Sequence, residues 1–185
     1  MATNAQNGSG RLGRPCRIAL WGTAALVLLL PFFAMQFTEE MAWDLADFAI
    51  FGAMLVGACG AYELAARVTR NDAYRAAVAV ALAAAFILVW MNLAVGIIGS
   101  EDNPANLMYG GVLAIAIIGA VIARFQPDGM ARALVAAALA QTLVAVIAGS
   151  GHTLLLTGFF VALWLTSAWL FRKAAREQTS AGVAL

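Results

Sequence analysis

The chain reads as an all-α, polytopic membrane bundle of six transmembrane helices, arranged as three antiparallel hairpins with both termini cytoplasmic. Three observations predict this. Of 185 residues, 63% are hydrophobic and 11% charged, with a mean hydropathy of +0.86, whereas a soluble domain holds about half apolar and about a quarter charged residues. The apolar residues gather in six runs, each of a length suited to a hydrocarbon core of about 30 Å at about 1.5 Å per helical residue. All eleven Lys and Arg residues fall in alternate connections. Arg11, Arg14 and Arg17 lead into the first run, Arg67, Arg70 and Arg75 lie between the second and third, Arg124 and Arg132 between the fourth and fifth, and Arg172, Lys173 and Arg176 after the sixth. Cytoplasmic loops retain such residues, so both termini are expected inside.

Each element follows in order. Residues 1–13 hold too little apolar surface to bury and are expected to form a disordered cytoplasmic tail. The six-helix domain covers residues 14–173, and residues 174–185 form a short cytoplasmic tail. The first span, 18–37, exceeds the apolar region of about 7 to 15 residues in a secretory signal peptide, so it reads as an uncleaved helix. Pro31 is expected to kink or shorten it. The remaining spans are expected at 45–66, 76–99, 107–123, 133–148 and 153–171, with Gly149-Ser150-Gly151-His152 allowing a close reversal between the last two. Arg17, Arg75 and Arg132 lead the odd spans at intervals of 58 and 57 residues, a spacing that fits a threefold hairpin repeat. The even spans match poorly, which leaves the repeat open.

Small residues recur every fourth position in the second span, at Ala49, Ala53, Gly57, Ala61 and Ala65, and again in the fifth, at Ala133, Ala137, Ala145 and Gly149. Such stripes let a neighbouring helix backbone approach closely, so Ala53, Gly57, Ala61 and Ala137 are expected packing positions. Gln141 occupies the middle of the fifth-span stripe and is expected in a helix interface rather than in lipid. Trp21, Tyr62, Tyr74, Tyr109 and Trp169 stand near span ends, where amphipathic rings favour the membrane surface.

Polar residues within apolar runs need partners. Glu63 has Arg67 one helical turn later, while Asn92 and Gln141 could join helices or line a path for a small polar solute. On the outer side, Glu40, Asp44 and Asp47 share a helical face, and Glu101, Asp102, Asn103 and Asn106 occupy the next outer loop. These carboxylates and amides could gather round a divalent cation, or could solvate the surface and favour helix starts. Asn106 is well placed to cap the fourth helix.

Several classes of function are disfavoured. The lone His152 has no second histidine or cysteine at a metal-ligand spacing. Cys16 and Cys59 are not expected to pair. No nucleophile has a convincing base and no glycine-rich loop joins a strand to a helix, so no catalytic residue and no cofactor is assigned. A net charge of +1 gives no support for nucleic-acid binding. The expected partners are the lipid bilayer and either a second copy of the chain or another membrane protein.

The stretch Asn92-Leu-Ala-Val-Gly-Ile-Ile-Gly-Ser-Glu-Asp-Asn-Pro-Ala-Asn-Leu-Met-Tyr109, followed by Gly119-Ala-Val-Ile-Ala-Arg124, resembles a family of small uncharacterised bacterial multi-span inner-membrane proteins, over the region from Phe37 to Phe171. The resemblance implies a bacterial inner-membrane location and carries over no reaction, substrate or assigned residue. The leading expectation is a non-enzymatic accessory or interaction subunit that assembles through small-residue helix faces. A small-solute transporter or channel with Asn92 and Gln141 in its path is the second, and divalent-cation binding by the outer carboxylates the third.

Overall fold

The computed structural model describes residues 13–37, 43–100, 102–149 and 151–183. Six α-helices account for nearly all of them: α1 (Arg14–Ala34), α2 (Leu45–Val68), α3 (Asp72–Ala94), α4 (Met108–Ile122), α5 (Pro127–Ala148) and α6 (Gly151–Val183), with a 3-10 turn, Pro104–Leu107, leading into α4. There is no strand among the described residues, and six helices there are long and apolar enough to cross a bilayer. The chain is a multi-pass membrane protein. The expected disordered tail lies outside the described residues except for Gly13.

Local chemistry sets the helix limits. Pro15 stands in the first turn of α1, where its missing N–H leaves no bond unmade. The helix ends at Ala34, within one turn of Pro31, and so stops short of the expected Phe37. Asp44 caps α2, and Asn71 caps α3 by accepting from the backbone N–H of Tyr74 at 2.7 Å. α3 stops at Ala94 rather than Gly99, because Gly96 and Gly99 adopt left-handed backbone conformations that end the helix. Gly149, also left-handed, ends α5 just before α6 begins. α6 runs on for 33 residues, about 50 Å, so the stretch from 174 to 183 continues the sixth helix.

The helices fall into two compact units, residues up to Arg70 and residues from Asn71 onward. The first contains α1 packed on α2. In the second, α5 packs broadly on α6, α3 lies along α6 and α4 along α5, while α3 and α4 barely touch. Side-chain links give the register of α3 and α6: Asn71 donates to Glu177, the Tyr74 ring meets the edge of Phe171, and Ser167 Oγ donates to the Ala77 carbonyl at 2.7 Å. The α3 numbers rise as the α6 numbers fall, so the two helices are antiparallel.

The core of the four-helix unit sets large rings against small residues. Phe160, Trp164 and Phe171 of α6 are buried, as are Ala77 and Ala84 of α3 and Ala131, Ala137 and Ala138 of α5. Alanine faces make room for rings at the close density of a protein interior. The backbones of α4 and α5 approach each other closely. A Cβ on Gly119 would stand 2.6 Å from the Ala133 Cβ, and one on Gly129 would stand 2.5 Å from the Ala123 Cβ. Outward faces carry Leu, Ile, Val, Phe and Trp, among them Leu139, Leu143, Ile147 and Trp169, as contact with acyl chains requires.

The two stripes of small residues differ in use. Ala133, Ala137 and Ala145 of α5 are buried. In α2 the buried residues are Phe51, Cys59, Glu63 and Ala66, whereas Ala53, Gly57 and Ala61 are exposed and a Cβ on Gly57 would meet nothing within 4 Å. Within the first unit α1 thus packs on a different face of α2 from the one that carries Ala53, Gly57 and Ala61, because Phe51 and the charged Glu63 need burial more than alanines do.

Candidate functional site

Two groups of buried polar side chains stand out, one in each unit. In the first, Glu63 lies on the buried face of α2 with its side chain 8% exposed. Arg67 pairs with it from one turn along the helix, as expected. Two further partners come from α1: Arg17 Nε at 2.9 Å and the Trp21 indole N–H at 3.2 Å. Neither could be read from spacing, since 42 residues separate Trp21 from Glu63. The carboxylate is held by two guanidinium groups and an indole, which makes it a clasp between α1 and α2. Glu63→Gln, which keeps the shape and removes the charge, is expected to loosen α1 from α2. Hydrogen exchange of residues 14–34 checks this, with faster exchange than in wild type as the expected result.

The second group lies within the four-helix unit. Gln141 of α5 is fully buried, at 0% exposure, and neither its amide oxygen nor its nitrogen has a hydrogen-bond partner. Around the same interior, the hydroxyls of Tyr109 and Thr157 and the indole N–H of Trp164 are also buried and unpaired. Thr157 and Trp164 are seven residues apart on one face of α6. The Tyr109 and Thr157 hydroxyls lie near each other. Asn92 of α3 is half-buried, with its side-chain oxygen enclosed and unpaired. Gln141 therefore sits in a helix interface and not in lipid, yet it closes no bond there.

Tyr109 and Tyr74 stand near span ends, where a surface position is expected. Both are buried in the bundle. The Tyr74 hydroxyl donates to the Phe125 carbonyl at 2.8 Å, supporting a corner where Arg124 and Phe125 are both left-handed. Trp169, in contrast, is exposed as expected.

The loop from Val95 to Asn106 is built by its asparagines, with a correction to their roles. Asn103, not Asn106, caps the 3-10 turn, accepting from the Ala105 N–H at 3.0 Å. The turn begins at Pro104, so Asn106 falls inside it and its side chain folds back over the loop. It accepts from the N–H groups of Ile97 and Ile98 at 3.1 and 2.8 Å and donates to the Ser100 carbonyl at 2.7 Å. Thr153 Oγ donates to the Ile97 carbonyl at 3.2 Å, tying the loop to the start of α6. Asn106 thus supplies the bonds that the loop backbone lacks.

The outer carboxylates are used locally. Asp44 accepts from the N–H groups of Ala46 and Asp47, and Asp47 accepts from the N–H of Asp44 at 3.0 Å, a reciprocal capping box. Asp102 is exposed, and Glu40 and Glu101 lie outside the described residues. Among the described residues no three His, Cys, Asp or Glu side chains gather as they would around a metal ion. His152 and Cys16 are exposed, and Cys59 is buried as a free thiol.

No protein-family model matches the chain, and no curated protein or solved structure does either.

Proposed function

We propose that this protein is a non-enzymatic accessory or interaction subunit of a bacterial inner membrane, multi-pass, with both termini cytoplasmic. The observation that carries the reading is the full burial of Gln141 within the four-helix unit, whose core is built of rings and alanines. A solute path through the bundle would need water beside that amide. A chain whose interior is filled meets other molecules through its outer faces. The alternation of arginine-bearing and arginine-free connections supports the orientation, and the resemblance of the Asn92–Tyr109 stretch supports the bacterial setting.

The exposed Ala53, Gly57 and Ala61 face of α2 is suited to a helix from a second copy or a different membrane protein, since small residues admit a backbone closely where no hydrophobic drive exists between helices. Native mass spectrometry of gently extracted protein is expected to show a reproducible complex that Gly57→Ile disperses with the monomer still folded. A wild-type monomer, or a complex indifferent to Gly57→Ile, would remove the support for this face.

A further inference from the structure

A second charged feature lies at the start of α5. Asp128 and Arg132 of α5 and Arg172 of α6 line one shallow cleft of about 390 Å³, broadly open to its surroundings. Both arginines are exposed, and neither has a carboxylate at ion-pair distance among the described residues, Asp128 included. Topology explains why arginines stand at this end of the spans, but not why two of them, unpaired, face a shared recess with a single acid between the same walls.

We infer that this cleft binds the head group of a membrane phospholipid, with the phosphodiester held by Arg132 and Arg172 and a terminal ammonium group held by Asp128. A guanidinium offers a planar fork of N–H donors that matches phosphate oxygens, and two forks facing one recess can hold both free oxygens of a phosphodiester. Asp128 would repel a simple anion. It suits a head group with a positive hydrogen-bond donor beyond the phosphate, as in phosphatidylethanolamine, and suits choline less, because choline carries no N–H.

The source of the phosphate follows from what lies along each helix from the two arginines. On α5, Arg132 shares its face with Leu139, Leu143 and Ile147, all exposed. On α6, Arg172 shares its face with Trp169 and Leu165, also exposed. A head group seated between the arginines would thus lead directly into two apolar stripes that can receive acyl chains. Basic recesses between spans at the membrane surface are suited to lipid head groups in this way. A soluble phosphate compound would gain nothing from the stripes.

The test is lipid retention by the full chain, read by native mass spectrometry after reconstitution with phosphatidylethanolamine, phosphatidylglycerol or phosphatidylcholine, and by binding of inorganic phosphate and phosphoethanolamine in detergent. Wild type is expected to retain phosphatidylethanolamine best. Arg132→Gln with Arg172→Gln is expected to weaken retention of all three lipids by about tenfold or more. Asp128→Asn is expected to abolish only the advantage of ethanolamine over choline. Arg176→Gln, outside the cleft, should change neither. An equal loss with Arg176→Gln would mean a diffuse surface charge and overturn the site. Undiminished retention in the double variant with its fold intact would do the same, and binding of inorganic phosphate or phosphoethanolamine as tight as that of the lipid would reassign the cleft to a soluble ligand.

Discussion

Gly119→Ala is expected to destabilise the four-helix unit by about 1–3 kcal/mol, far more than one added methyl group costs on an open helix face. The new Cβ would stand 2.6 Å from the Ala133 Cβ and 3.3 Å from its Cα. The nearer atom belongs to a side chain with no rotamer to change, and the farther is backbone, so relief requires α4 and α5 to move apart. Those two helices form one of the three principal contacts of the unit, and a shift there would be transmitted to the buried Leu134 and Ala137 of α5. The exchanged pair Gly119→Ala with Ala133→Gly moves the methyl across the interface and removes the contact between the two Cβ atoms. It is expected to recover much of the loss, giving a coupling between the sites of about 0.5–3 kcal/mol. Denaturation of the four variants in mixed micelles reads both quantities. A single-variant effect below the measurement error would mean that α4 and α5 are not in close backbone contact.

Gly119 also shows what kind of information a sequence of this composition holds. Apolar runs, proline, glycine and arginine positions place the six spans, because a bilayer admits few alternatives to an apolar helix of fixed length. Interfaces are harder, since Ala and Gly serve equally at a close contact and on a free face. The α5 stripe containing Ala137 is buried and the α2 stripe containing Gly57 is exposed, although their periods are the same. What separates them is the rest of each helix: α2 has Phe51 and Glu63 on another face, and the carboxylate must be covered. A partner for Glu63 was legible at Arg67, four residues on, but not at Trp21, because tertiary contacts between helices leave no mark in local spacing.

The polar residues show the same division. Asp44 and Asp47 are spaced for a capping box as well as for a shared ligand face, and backbone N–H groups at a helix start are always present to be bonded whereas a cation is not. That Asn103 rather than Asn106 makes the cap turned on a single residue, Pro104, which begins the turn earlier than the apolar run does. The burial of Tyr109 was invisible because its position near a span end fits the membrane surface equally well, and only the packing of α4 within the four-helix unit turns it inward.

Gln141→Met is expected to stabilise the four-helix unit by about 1–3 kcal/mol, reversing the loss anticipated if the amide joined helices by hydrogen bonds. Methionine keeps an unbranched chain of similar length, so the packing of α5 is little altered. What changes is the removal of an amide whose donor and acceptor are both enclosed and unpaired. In a water-filled chain the amide would find solvent, but its 0% exposure leaves it none. The sign of the effect is therefore the informative result. A gain in the mixed-micelle denaturation midpoint means that the amide finds no polar partner in the membrane, in line with an accessory role. A loss of similar size means that the amide has a partner in the working protein, and since Tyr109, Thr157 and Trp164 offer further unpaired groups, that partner would be a polar molecule admitted among them, which would return weight to transport. Gln141→Glu distinguishes the two cases a second time: in a dry centre the carboxylate must ionise at great expense or stay protonated, so the variant is expected to unfold at a lower midpoint than wild type, whereas a hydrated site would tolerate it.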